Sequence, residues 1–216
     1  MKKIKYIFWD NDGVLVDTEK LYFQATKTVI EENGFVLTEE LFEENLLRQS
    51  RGVWFLLEEK GYTEDEINSL RRKRNELYHD LIRNEKTLLP GIEETLEKCY
   101  KKFGMAIVTS SRKDHFQTIH ESTGILKYFN FYLTREDYKN SKPDPEPYLL
   151  ALKRSSVLSS EAVVVEDSER GLKSALASGL RCIIVPNNLT KASDFSGAEA
   201  VLNNHSEIFD YLNKEH

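Results

Sequence analysis

Six short, mostly apolar runs separated by segments of helical periodicity set the limits on what this chain can fold into. They cover residues 4–9, 105–109, 131–133, 162–165, 182–185 and 200–202. Apolar runs of this length, without polar alternation, are the mark of strands buried on both faces. Between them Ile92, Leu96, Cys99 and Phe103 share one helical face ahead of a stop at Gly104, and Ser206 is placed to cap a last helix carrying Ile208, Tyr211 and Leu212. Such alternation implies right-handed βαβ units and a doubly wound parallel sheet of about six strands.

From residue 17 to residue 88 the alternation lapses and only helical patterns remain. Leu21, Ala25 and Val29 mark a first helix that stops at Gly34, and Leu41, Phe42 and Leu46 a second. Thr63-Glu64-Asp65-Glu66 is a capping box, with Ile67, Leu70, Leu77, Tyr78 and Leu81 on one face behind it. The basic run Arg71, Arg72, Lys73 and Arg74 reads as the solvated side of that helix. The expected organisation is a core of residues 1–16 and 89–216 with an all-helical insert, 17–88, after the first strand.

Composition narrows the class further. Hydrophobic residues are 40% and charged residues 31% of the 216, a balance that disordered chains do not have. A net charge of −6 argues against nucleic acid as a partner, because phosphate-tracking surfaces are basic. Cys99 and Cys182 have no metal-ligand spacing and read as buried thiols in a reducing cytoplasm. The apolar run before Asp10 is too short for a signal peptide or a membrane span. The expectation is a cytoplasmic protein with no membrane partner.

Four clusters fall at the ends of expected strands, where open α/β sheets bind ligands. In Asp10-Asn11-Asp12-Gly13, two carboxylates two residues apart face one way, suited to a nucleophile beside an acid/base, to a hard cation, or to an Asx-rich turn. Thr109-Ser110-Ser111-Arg112 offers hydroxyls and backbone N–H groups to an anion, or an ordinary helix cap. Lys142, ahead of Pro143-Asp144-Pro145, is a point cation for a phosphate, or surface charge. Glu166 and Asp167 end a buried run and can share an ion if the chain is turning there; otherwise Asp167 is a cap. Together these are the parts for divalent-cation-assisted phosphoryl transfer to an aspartate.

In order and spacing the four clusters resemble the haloacid dehalogenase-like phosphohydrolases, over nearly the whole chain. Phe8-Trp9-Asp10-Asn11-Asp12-Gly13-Val14-Leu15-Val16-Asp17-Thr18, Ile107-Val108-Thr109, Lys142 in Ser-Lys-Pro-Asp-Pro, and Val165-Glu166-Asp167-Ser168 match the four family motifs. The resemblance implies a Rossmann-like α/β fold with an inserted helical cap, as in the β-phosphoglucomutase and phosphoglycolate phosphatase branch. It makes Asp10 the nucleophile that forms an aspartyl-phosphate and Asp12 the acid/base. Thr109 and Lys142 would meet the phosphoryl group, with Asn11, Gly13, Ser110, Ser111 and Arg112 lining its pocket. Asp10, the Asp12 carbonyl, Glu166 and Asp167 would hold Mg2+. In the cap, Arg48, Gln49, Ser50, Arg51, Trp54 and Phe55 are candidates for contact with substrate, and Trp54 and Phe55 are equally candidates for cap core.

Two departures bear on function. Asn11 replaces the apolar residue usual between the two aspartates, a position expected to contribute mainly its backbone N–H. Tyr22 stands where β-phosphoglucomutase has a histidine. The expected function is a magnesium-dependent phosphatase of small phosphorylated metabolites, such as a sugar phosphate, phosphoglycolate or a nucleotide monophosphate, acting as a monomer or small homo-oligomer. The alternatives are a phosphosugar mutase and a non-catalytic phosphate-ligand binding protein.

Overall fold

A computed structural model describes residues 3–42, 44–45 and 52–214. In chain order the first elements are β1 (Tyr6–Trp9), α1 (Glu19–Glu32), α2 (Glu39–Phe42), α3 (Phe55–Glu58), α4 (Glu64–Asn84) and α5 (Ile92–Tyr100). They are followed by β2 (Gly104–Val108), α6 (Lys113–His120), β3 (Phe131–Leu133), α7 (Glu146–Ser155), β4 (Ala162–Glu166), α8 (Glu169–Ala177), β5 (Arg181–Ile184), β6 (Ala200–Val201) and α9 (Ser206–Lys214). The chain divides into two units, Met1–Asp17 with Thr87–His216, and Thr18–Lys86.

The first unit is built on a parallel six-stranded sheet in the order β3-β2-β1-β4-β5-β6, the α/β arrangement expected from the alternation. Tyr6 and Phe8 face the same way and join Ala106, Val108, Val164 and Cys182 in a core closed by Tyr148 of α7 and Leu172 of α8. The alternate residues Ile7, Trp9, Ile107, Val163 and Val165 are buried on the opposite face. Burial on both faces is why these strands carry no polar alternation. A side chain the size of Phe8 contributes about 2–3 kcal/mol when so buried. On α5, Ile92, Leu96 and Cys99 form the expected buried stripe, and the helix packs against α9. The last helix starts at Ser206 rather than being capped by it: its backbone N–H donates to Asn204 Oδ1 at 3.1 Å.

The second unit is helical, and among the described residues of Thr18–Lys86 no strand occurs. Its core gathers Val29, Ile30, Leu37, Phe42, Val53, Trp54, Leu57 and Ile67, with α1 packed along α4. The capping box holds as read: the Glu66 N–H donates to Thr63 Oγ1 and the Thr63 N–H to Glu66 Oε2 at 2.8 Å. Arg74 does not lie on a solvated face. It is 8% exposed, with its guanidinium 4.3 Å from the Tyr22 ring and 5.5 Å from the Trp54 ring. Trp54 is core, whereas Phe55 is half-buried. Arg48, Gln49, Ser50 and Arg51, named above as possible substrate contacts, lie outside the described residues, as does Leu46.

The two passages of the chain at the edge of the sheet unit run side by side. Asp17 N–H donates to the Thr87 carbonyl at 2.7 Å and Leu89 N–H to the Leu15 carbonyl at 3.0 Å. No helix among the described residues is long and apolar enough to cross a membrane.

Candidate active site

Strand register brings three of the four clusters to one end of the sheet; Lys142 is not at a strand end as expected but reaches the site from the segment between β3 and α7. Trp9 is paired with Ile107 on one side and Val165 on the other, so Asp10, Thr109 and Glu166 leave three adjacent strands at nearly the same level. Main-chain hydrogen bonds continue just past the strand ends, from Asp10 N–H to the Val165 carbonyl at 2.9 Å and from Thr109 N–H to the Leu133 carbonyl at 3.0 Å. The sheet order reverses around β1, which makes this edge the crevice where doubly wound folds bind ligands.

Lys142 lies at the centre. Its Nζ donates to Asp10 Oδ1 at 2.6 Å, Glu166 Oε1 at 2.7 Å and the Val108 carbonyl at 2.8 Å, three acceptors that use all three ammonium protons. Lys142 is 4% exposed, so it is not surface charge. Burial works against its ammonium, but the Asp10 and Glu166 carboxylates outweigh burial and hold it above the usual lysine range. For Asp10 the balance runs the other way. Burial first, then the Glu166 charge, lift its carboxyl to about 7 against the pull of Lys142.

Glu166 is held from both ends. Oε1 accepts from Lys142 and from Tyr148 Oη at 2.8 Å, while Oε2 accepts from Ser168 Oγ at 3.1 Å and the Asp167 N–H at 3.3 Å. Two glycines make room for the acids. A Cβ on Gly171 would overlap the Glu166 carboxylate, and one on Gly13, whose φ is +82°, would overlap that of Asp167. Asp167 Oδ2 accepts from Asn187 Nδ2 at 2.8 Å. The cap of α8 is Ser168, whose hydroxyl takes the Gly171 N–H, so Asp167 is not spent on capping.

Asp12 sits in a different setting, among neutral donors. Its Oδ2 accepts from Ser111 Oγ at 2.6 Å, Thr109 Oγ1 at 3.1 Å and Asn11 Nδ2 at 3.3 Å. Thr109 Oγ1 also takes the Ser111 N–H at 3.0 Å, and the Thr109 carbonyl accepts from Tyr138 Oη at 2.6 Å. Ser110 is half-buried between them. Arg112 is not drawn into the cluster: exposed, it forms a two-bond fork to Asp114 at 3.1 and 2.8 Å.

Tyr148, Tyr138, Asn187 and the Asn11 side chain were missed as parts of the site. Asn187 follows β5, so extending the strand-end argument to one more strand would have found it. The tyrosines carry no local signal, because their hydroxyls reach the site only through packing.

The site fits a divalent cation. Asp10, Glu166 and Asp167 present oxygen atoms all within 4.8 Å of one another, a hard, oxygen-only donor set. Three carboxylates against the one ammonium of Lys142 leave an excess of negative charge. A carboxyl as hard to ionise as Asp10 is where further positive charge has most to offset.

Residues 7–185 match the family described as haloacid dehalogenase-like hydrolase. The chain is 32% identical over 182 residues to the phosphorylated carbohydrates phosphatase of Thermotoga maritima, covering 82% of each. It is 30% identical to protein CbbY of Cereibacter sphaeroides, with 95% of this chain and 94% of that one covered. Its fold matches the crystal structure of CbbY from Rhodobacter sphaeroides in complex with phosphate at a TM-score of 0.79 and 25% identity, over 95% and 96% of the two chains. The chain belongs to the haloacid dehalogenase-like hydrolases and is an enzyme of the phosphatase kind within that family.

Proposed function

We propose that this enzyme hydrolyses the phosphate monoester of a small carbohydrate through an aspartyl-phosphate on Asp10. The observation that carries the reading is the Asp10 carboxylate, 2.6 Å from a buried lysine and part of a triad of acids at the switch point of the sheet. Relatives named for phosphorylated carbohydrates and bound phosphate support the substrate class.

Asp10 attacks phosphorus, and the bond to the ester oxygen breaks as Asp12 gives that oxygen a proton. Water then attacks the same phosphorus, Asp12 takes its proton, and the bond to Asp10 breaks to release inorganic phosphate. Lys142 and Thr109 meet the charge on the phosphoryl oxygens, with Ser110 and Ser111 beside them. Glu166, engaged by four protein donors, serves first to hold Lys142. Asp10, Glu166, Asp167 and the Asp12 carbonyl would hold Mg2+, which would offset the carboxylates and polarise the phosphoryl group.

The test is phosphate release from a panel of sugar phosphates with magnesium, run beside Asp10→Asn. The wild type should release phosphate and stop on addition of EDTA, and Asp10→Asn should retain less than about a thousandth of the activity. Interconversion of hexose 1- and 6-phosphates without release would make the enzyme a mutase, and an active Asp10→Asn would move the nucleophile elsewhere.

A further inference from the structure

Asn11 occupies a position whose expected contribution is a backbone N–H, yet its side chain is fully buried and bonded at both ends. Its Nδ2 donates to Asp12 Oδ2 at 3.3 Å, and its Oδ1 lies 2.8 Å from His120 Nε2. His120 closes α6, is 5% exposed, stacks 4.5 Å from the Phe116 ring and places Nδ1 2.9 Å from Thr123 Oγ1.

These partners fix the protons. An amide oxygen only accepts, so Nε2 carries the hydrogen and Nδ1 accepts from the Thr123 hydroxyl. The opposite amide orientation would set Asn11 Oδ1 against the Asp12 carboxylate, so the acid selects the orientation seen and His120 takes the tautomer that matches it. Burial lowers His120 to about 4, so the imidazole stays neutral and keeps this tautomer.

We propose that His120 and Asn11 form a positioning arm that holds the Asp12 carboxylate while substrate is bound. The inference rests on the reading of Asp12 as acid/base. Thr109 and Ser111 each have a single hydroxyl proton and now give it to Asp12. A phosphoryl group competes for both protons. The Asn11 N–H faces no such competition, because its amide is anchored at the far end by His120. His120 and Asn11 are therefore positioning residues: they set the direction of the proton that Asp12 delivers.

The experiment compares kcat/KM, which reports steps up to formation of the aspartyl-phosphate, for glucose 6-phosphate and p-nitrophenyl phosphate. An alkoxide needs a proton to leave, whereas p-nitrophenolate does not. His120→Asn, whose amide reaches toward Thr123 and not Asn11, should lose about tenfold on glucose 6-phosphate and under about twofold on p-nitrophenyl phosphate, a share of what a placed proton donor supplies. His120→Gln, which restores a donor near the Nε2 position, should recover the alkyl substrate. Asn11→Ala tests the same arm from its other end and serves if His120→Asn does not fold. Equal losses on both substrates, or no loss in folded variants, overturn the arm. Asp12→Asn is the reference: an alkyl-selective loss larger than tenfold upholds the assignment of Asp12 on which the arm rests, and wild-type activity overturns that assignment and the arm with it.

Discussion

Lys142 and Arg74 are both buried cations, one in each unit; each lies over an aromatic ring, Lys142 4.9 Å from that of Tyr148, and they differ in the charge that surrounds them. Lys142 meets two carboxylates and a carbonyl, and its ammonium is held above the usual range. Arg74 meets the faces of Tyr22 and Trp54, Asn75 Oδ1 at 2.9 Å and Thr26 Oγ1 at 3.4 Å. Burial pulls its guanidinium below the usual arginine range, although an arginine remains charged. Among the described residues, one cation is compensated by formal charge and the other by ring quadrupoles and neutral oxygens. Formal charge fits the lysine for chemistry on anions, while ring contacts make the arginine a packing element.

Lys142→Met should separate the two most sharply. It leaves Asp10 and Glu166 buried without their cation, so turnover should fall by about a thousandfold or more. Stability should drop by about 3–5 kcal/mol, read from urea midpoints. Adding Glu166→Gln should restore part of the stability and none of the turnover. Near wild-type hydrolysis in Lys142→Met would remove the lysine from the chemistry.

The next effect extends the comparison to a buried base with neutral hydrogen-bond partners. The folded His120 titrates at about 4, below the ordinary 6.5, so the unfolded chain binds the extra proton first. Its contribution is complete above pH 6.5 and is lost as pH falls from there toward 4, about 2 kcal/mol of it by pH 5. Urea titrations from pH 7 to 4.5 should show this slope and its flattening in His120→Gln. An unchanged slope would mean that His120 protonates without penalty in the fold.

The smallest expected effect is at the arginine. Arg74→Met keeps much of the stem and loses the ring contacts, which should cost about 1–2 kcal/mol with p-nitrophenyl phosphate hydrolysis unchanged. A collapse of activity in a folded Arg74→Met would break the division of labour between the two cations.

What was legible in the sequence follows from what each feature depends on. The four inner strands were legible because a run buried on both faces has no polar residues to hide it; β3 and β6, at the sheet edges, are only partly buried although their runs read the same way. Asp10, Thr109, Glu166 and Asp167 were legible because a strand end is a local event, whereas Lys142, nine residues past the end of β3, was legible only through its place in Ser-Lys-Pro-Asp-Pro. Arg74 was misread because its partners lie 52 and 20 positions away, at Tyr22 and Trp54, and only packing brings them together. Tyr148, His120 and Asn187 were invisible for the same reason. Asn11 was legible as a departure, but its partner was not. Asn204 took the Ser206 N–H because an Asx side chain bonds two residues ahead, an offset that periodicity does not encode.

Gly13 and Gly171 set a tolerance for the whole site. Asp167 and Glu166 rest where a methyl group would otherwise be, so the acids are located by atoms that are missing. At the two glycines the margin for any replacement is less than the width of one carbon atom.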